Sequence, residues 1–100
     1  MIVMHAELPI DSEKKEAAIE LLSELATESR AEDGVIDYRV TTDVEYPNVV
    51  RIFEQYEDEM AVDQHMESDH FQSFQQEIGS YMAGEASLVR FTVDDATDVM

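Results

Sequence analysis

The order of local periodicities along the chain is the feature that most constrains its fold. Four short segments are apolar-rich or alternate apolar with polar residues, and apolar residues recur every three or four residues in two longer stretches. The short segments predict four β-strands, and the helical spacing predicts two helical regions. The strands are expected at residues 2–8, 36–41, 49–56 and 88–93, and the helical regions over residues 12–32 and 58–84.

Strand, helix, strand, strand, helix, strand is the order of the ferredoxin-like α+β fold (βαββαβ). It predicts one four-stranded antiparallel sheet that carries both helical regions on a single face. Ser68 and Asp69 provide a helix-start signal inside the second helical region, so we expect two short helices or one kinked helix there. The length of 100 residues suits one domain. We expect that domain over residues 1–94, followed by a loose tail over residues 95–100.

The acidic residues indicate the solvent in which the chain folds. Asp and Glu number 24 against six Lys and Arg, a formal net charge of −18, although 44% of the residues are hydrophobic. That hydrophobic share is too high for a disordered acidic tail. An acidic surface poor in lysine suits the salt-filled cytoplasm of a halophile, where charges are screened. The alternative is an acidic mimic of nucleic acid, which is disfavoured because the acids are spread over helix faces.

Several functional classes are disfavoured by what the chain lacks. It has no basic stripe for nucleic acid, no apolar run near the roughly 18 residues of a membrane span, and no signal-peptide basic region. It has no cysteine and therefore no disulfide or Cys-ligated metal. Phosphate-loop, serine-nucleophile, flavin and nicotinamide motifs are also missing. We expect a cytoplasmic protein that uses no nucleotide cofactor.

The strand positions of the arginines predict a partner for the sheet face opposite the helices. Arg39, Arg51 and Arg90 lie in strands, and alternation places Phe53 on the same side as Arg51. Arginine is the preferred cation at protein interfaces. We therefore predict a two-fold homodimer that buries sheet against sheet through these four residues. The alternative is that the arginines only offset neighbouring acids on an exposed sheet.

The candidate site residues lie on the sides of the strands and helices that face each other. His65 is either a proton acceptor beside a cavity or a core histidine with satisfied nitrogens. Glu54 either orients a substrate or anchors a backbone amine, and Tyr38 and Tyr56 either line that cavity or serve as core aromatics. His65 and His70 are five residues apart, which does not place them on one helix face, so we expect no metal site.

Three segments carry a family resemblance. Residues 32–38 (EDGVIDY) match the pattern E-x-G-x-x-x-Y, residues 54–58 (EQYED) match E-x-[WY]-x-[DE], and residues 65–71 (HMESDHF) match H-x-x-S-x-H-F. In this order and spacing they resemble the antibiotic biosynthesis monooxygenase (ABM) domain family of the dimeric α/β-barrel superfamily. The resemblance runs from the first strand to the last.

The resemblance implies a dimeric α/β barrel, in which the sheets of two protomers pack face to face. It also implies a cofactor-independent monooxygenase, in which a deprotonated aromatic or quinol substrate reduces dioxygen in a dry pocket between sheet and helices. His65 would be the base or an orienting donor. The implied catalytic residues are His65, His70 and Glu54, and the implied substrate pocket contains Tyr38, Tyr56 and Phe71.

Other activities on the same scaffold remain open at this point. The haem-degrading branch of the family uses a Trp, a His and an Asn. This chain has no Trp, and Gln75 takes the place of the haem-ligating His, so haem degradation is not expected. A non-catalytic dimer that binds a small molecule, and an isomerase or lyase, are the alternatives to a monooxygenase.

Overall fold

The computed structural model describes residues 1–100 and confirms every predicted strand and helical region. Short 3₁₀ turns at Ser12–Lys14 and Gly79–Tyr81 flank the helices. None of the helices is both long and apolar enough to cross a membrane. The elements are β1 (Ile2–Pro9), α1 (Lys15–Arg30), β2 (Val35–Thr42), β3 (Val49–Tyr56), α2 (Glu59–Glu67), α3 (Asp69–Ile78) and β4 (Ser87–Thr92).

The four strands form one antiparallel sheet in the order β2-β3-β1-β4. The predicted ferredoxin-like α+β fold is therefore confirmed. Strand β1 lies inside the sheet and pairs along its whole length with β3, whereas β4 is an edge strand. Residues 93–100 form no helix or strand, and the division into a domain of residues 1–94 and a tail of 95–100 stays a prediction.

The predicted break in the second helical region is confirmed at Ser68. Its backbone is extended (φ −65°, ψ 150°), and its hydroxyl accepts a hydrogen bond from the Phe71 amide at 3.3 Å. Asp58 caps the preceding helix in the same way, accepting from the Ala61 amide at 2.9 Å. Because such caps satisfy free amides at a helix start, the chain ends α2 and immediately begins α3 in a new direction.

The core fills the space between the sheet and the helices. Ala18, Leu22, Leu25 and Ala26 form the buried stripe of α1. They pack on the sheet side that carries Ala6, Leu8, Val50 and Ile52. The alternation that predicted this side is wrong at one position, Ile36, which is 49% exposed. A β-bulge between Val35 and Asp37 places Val35 opposite Tyr56 and makes Ile36 the extra residue.

The sheet face opposite the helices carries three of the four predicted interface residues. Arg51 bonds to Glu7 and, at 2.8 Å, to Asp43; Arg39 bonds to Asp37 at 2.7 Å. The Arg51 hydrogen bond, followed by the backbone amides of Glu45 and Tyr46, holds the pKa of the Asp43 carboxyl below its ordinary value. Both arginines are therefore paired within the chain.

The prediction that Arg90 belongs to this open face is wrong. Arg90 is registered opposite Met4, a core residue, and its guanidinium bonds to Glu59 of α2 on the helix side of the sheet. In β4 the residues on either side of Arg90 point to the open face, so Val89 lies there beside His5 and Phe91 beside Val3.

Candidate functional site

A cavity of about 210 Å³ lies between the sheet and α3. Ten of its 13 lining residues are hydrophobic, and the polar exceptions include Glu54. Phe71 and Phe74 of α3 line its wall and do not fill it. Residues 86–88, all exposed, form its rim beside β4. The floor is made by Ala6, Leu8, Tyr38, Ile52 and Glu54, all buried.

Glu54 reaches this cavity because strand alternation places it on the helix side of β3. It is 6% exposed and is registered opposite Tyr38 on one side and Met4 on the other. The Tyr56 hydroxyl, two residues along the same face, donates to Glu54 Oε1 at 2.6 Å. The second oxygen, Oε2, accepts no hydrogen bond within the chain. One oxygen is thus held, and the other is available to a guest in the cavity.

Burial sets the acid–base properties of these groups. It raises the pKa of the Glu54 carboxyl, and the Tyr56 hydrogen bond and nearby His65 only partly oppose that effect. Burial, followed by the charge of Glu54, also raises the pKa of Tyr38 and of Tyr56 far above the ordinary tyrosine value. Both phenols therefore stay protonated, and Glu54 is the group in the cavity wall that can accept a proton.

The two candidate histidines form a separate cluster with Glu32, at the C-terminal end of α1. His65 Nδ1 lies 2.9 Å from Glu32 Oε2, and His70 Nε2 lies 2.6 Å from the same oxygen. As expected from their spacing, the two histidines share no helix face: His65 lies in α2 and His70 in α3, on either side of the break at Ser68, and Glu32 joins them. Glu32 is the site residue that sequence reasoning missed, although it begins the E-x-G pattern.

His65 lies behind the cavity wall and does not line the cavity. It is 1% exposed, and its ring centroid lies 5.4 Å from that of Tyr38 and 4.9 Å from that of Phe71, two wall residues. Tyr56 is also in contact, at 5.6 Å. The structure thus brings Glu54, Tyr38 and Phe71 to the cavity, and it leaves His65 and His70 outside. The catalytic roles of all the site residues stay predictions.

The family model for antibiotic biosynthesis monooxygenase matches residues 1–77, more than three quarters of the chain. The chain belongs to the ABM family. The match includes Glu32, Glu54, His65 and His70, whereas the cavity rim at residues 86–88 lies beyond it. The protein named "Putative monooxygenase YcnE" from Bacillus subtilis (strain 168) is 35% identical over 74 residues, covering 74% of this chain and 78% of that protein.

Solved structures show the same ABM-type fold over nearly the whole chain. The structure of Rv0793 from Mycobacterium tuberculosis has a TM-score of 0.90 at 22% identity and covers 97% of this chain and 98% of that one. A conserved protein from Methanosarcina mazei Go1 has a TM-score of 0.86 at 29% identity, covering 90% and 89%. Each of these likenesses covers a larger share of the chain than the residues 1–77 that the family model matches.

Proposed function

We propose that this ABM protein is a cofactor-independent monooxygenase that oxidises a small, single-ring phenol or quinol with dioxygen. The observation that carries the proposal is a buried carboxylate, Glu54, with an unpaired oxygen in the wall of an apolar cavity. The cavity of about 210 Å³ suits one substituted ring, since benzene binds in an engineered apolar cavity of about 150 Å³.

The proposed reaction begins with proton transfer from the ring hydroxyl to Glu54 Oε2. The resulting phenolate donates one electron to dioxygen, and the phenoxyl radical and superoxide combine as a peroxide anion on a ring carbon. That anion takes the proton back from Glu54 and becomes a hydroperoxide. Loss of water then leaves a quinone, so one oxygen atom enters the product and the other leaves as water. The substrate supplies every electron, and the protein supplies a base, an orientation and a dry site.

The other candidate site residues, inside and behind the cavity wall, have positioning roles in this proposal. Tyr56 holds Glu54 Oε1, which directs Oε2 at the substrate. Tyr38, registered opposite Glu54 in the cavity wall, orients a second substrate oxygen as a protonated phenol. His65 packs behind Tyr38 and Phe71 and fixes both rings, and His70 acts through the Glu32 carboxylate that the two histidines share.

Oxygen uptake tests the proposal against its alternatives. With a panel of single-ring quinols we expect one dioxygen consumed per quinone formed, and one labelled atom in the product when ¹⁸O₂ is supplied. Binding of a panel compound without oxygen uptake would favour the small-molecule-binding dimer. Turnover that continues under argon would favour the isomerase or lyase.

Filling the cavity floor should weaken substrate binding without destabilising the fold. Ala6 is buried in the floor, between Ile52 and Leu88 on the neighbouring strands. In Ala6→Leu we expect KM to rise at least about tenfold, while the melting temperature stays the same or rises because apolar area is added. Ala17→Leu, on the exposed side of α1, is the matched control. Unchanged kinetics in Ala6→Leu would place the substrate elsewhere.

We also infer that the open sheet face binds a second copy of the chain, as the predicted homodimer requires. Phe53, Val89 and Phe91 are all exposed on that face. Together with Val3 they form an apolar patch, and the paired Arg39 and Arg51 border it. A self-complementary patch of this kind suits two-fold pairing.

Placing a charge in this patch should separate the two copies. We expect Phe53→Glu to raise the dissociation constant about a hundredfold or more, because a buried unpaired charge costs several kcal/mol. Sedimentation in molar potassium chloride measures the change. Val44→Glu adds the same charge in the β2–β3 turn, where the side chain is 97% exposed, and should leave assembly unchanged. A wild-type chain that sediments as a monomer at all concentrations would contradict the dimer.

A further inference from the structure

Three metal-binding groups converge outside the cavity, near the C-terminal end of α1. Glu32, His65 and His70 each offer one ligand atom within 4.8 Å of the others, and none of these residues lines the cavity. The atoms that face one another are Glu32 Oε2, His65 Nδ1 and His70 Nε2. We propose that this cluster binds one divalent transition-metal ion of the Zn²⁺ type through those three atoms. The proposal does not depend on the oxygen chemistry, because metal binding by these atoms needs neither the cavity nor Glu54.

The donor set and its spacing fit such an ion. Zinc bonds to histidine nitrogen and carboxylate oxygen at about 2.0–2.2 Å, so two ligands of one tetrahedral ion are roughly 3.3–3.6 Å apart. The distances of 2.9 Å and 2.6 Å from the Glu32 oxygen would have to open by roughly 0.4–1 Å, which side-chain rotation can provide. Two imidazoles with one carboxylate favour Zn²⁺, Co²⁺, Ni²⁺ or Cu²⁺ over Mg²⁺ and Ca²⁺, which prefer oxygen ligands.

A fourth side chain, Glu28, lies beside His70, where metal sites commonly have an outer-sphere carboxylate. Metal-bound histidines commonly donate their other ring N–H to a carboxylate. His70 Nδ1 lies 3.5 Å from Glu28 Oε2, on the side of the ring away from the shared Glu32 oxygen. If Nε2 binds the ion, the ring proton resides on Nδ1 and faces Glu28. Glu28 would then orient His70 and strengthen it as a ligand.

The cluster also has an entry path. A groove of about 380 Å³ runs between α1 and α3 and is lined by Glu24, Glu28, Asp69 and His70. The side chains of Glu32 and His70 are each 17% exposed, so water reaches the ligands, whereas buried His65 fixes the inner side of the site. The acids of the groove raise the local cation concentration, and three protein ligands leave coordination positions for water.

Titration of chelator-treated protein tests the proposal directly. We expect one Co²⁺ per chain with visible d–d absorption, displaced by Zn²⁺, in buffer that holds molar potassium chloride and millimolar Mg²⁺ to occupy surface acids. His70→Gln and Glu32→Gln should each weaken binding by at least about a hundredfold, and Glu28→Gln by about tenfold, as typical of an outer-sphere partner. Zn²⁺ should raise the melting temperature of the wild type and not of His70→Gln.

Two controls separate this site from general attraction to an acidic surface. Glu24→Gln removes the same charge as Glu32→Gln, but from the groove beside the cluster and not from the cluster itself. His5→Gln removes a histidine from the opposite sheet face. Both should bind Co²⁺ like the wild type. Absence of saturable Co²⁺ binding, or equal weakening by Glu24→Gln and Glu32→Gln, would overturn the proposal. Neither result depends on whether the cavity supports oxygenation.

Discussion

Glu54→Gln is expected to lower the rate of quinol oxidation by about 10²–10⁴-fold, the usual contribution of a general base, while the protein remains folded. Gln keeps the size of the side chain and an oxygen that can accept the Tyr56 hydrogen bond. It cannot take up the substrate proton. Substrate binding should change much less than kcat, because the shape of the cavity is preserved.

The same substitution should stabilise the fold at neutral pH. The pKa of Glu54 is raised in the folded chain, so the folded state holds this proton more tightly than the unfolded state. Ionisation of Glu54 therefore destabilises the fold, increasingly as the pH rises through the raised pKa. Glu54→Gln removes that penalty, which we expect to be on the order of 1 kcal/mol. The difference should vanish at a pH below the ordinary glutamate pKa, where both side chains are neutral.

Two measurements check this pair of effects. The kcat/KM of the wild type should rise with pH as Glu54 loses its proton, and the residual activity of Glu54→Gln should lack that rise. Denaturant unfolding at several pH values measures the stability difference. Glu57→Gln, an exposed position just after β3, serves as the charge-matched control. A Glu54→Gln variant that keeps full activity would exclude Glu54 as the base, whatever its stability.

The sequence predicts well the placement of those residues whose position depends on a single strand or helix. Alternation within β3 is enough to place Glu54 and Tyr56 on the helix side, and the polar pair Ser68-Asp69 is enough to predict the helix break. These signals are local, because strand period and helix caps depend on neighbouring residues. The cavity that Glu54 enters could not be predicted in the same way, since its volume depends on how α3 packs on the sheet.

The residues that sequence misplaces depend on contacts between elements. Arg90 looks like its fellow strand arginines, but the pairing of β4 with β1 turns it toward Glu59. Ile36 follows the alternation, but a bulge removes it from the core. His65 and His70 have no common helix face, yet a distant residue, Glu32, joins them. Register, bulges and long-range ion pairs leave little trace in a single sequence.

A side chain at position 34 is expected to destabilise the fold strongly, because Gly34 lies directly against helix α2. A Cβ added there would lie 2.4 Å from the Cβ of Ala61 in α2 and 3.2 Å from its Cα. The backbone φ of Gly34 is not positive, so close approach, and not conformational freedom, requires glycine here. We expect Gly34→Ala to lower the free energy of unfolding by about 1–3 kcal/mol, and Gly34→Val to leave little folded protein.

The same contact links Gly34 to the site. The Gly34 carbonyl accepts the Glu57 amide at 3.0 Å, one residue before the Asp58 cap of α2, and Glu32 lies two residues upstream. A helix α2 displaced by a methyl group at position 34 would carry His65 away from Glu32. Gly34→Ala should therefore also weaken the Co²⁺ binding proposed for the Glu32 cluster.

A second substitution, at Ala61, tests whether the contact between position 34 and Ala61 causes the loss of stability. Ala61→Gly removes the methyl group that the new Cβ would strike, so Gly34→Ala/Ala61→Gly should recover most of the stability lost in Gly34→Ala, beyond the additive expectation from the two single variants. Gly79→Ala is the matched control, because nothing lies within 4 Å of its added Cβ, and it should unfold like the wild type or slightly later. If Ala61→Gly adds its own destabilisation without any recovery, the glycine of the E-x-G pattern is required for a reason other than the packing of α2.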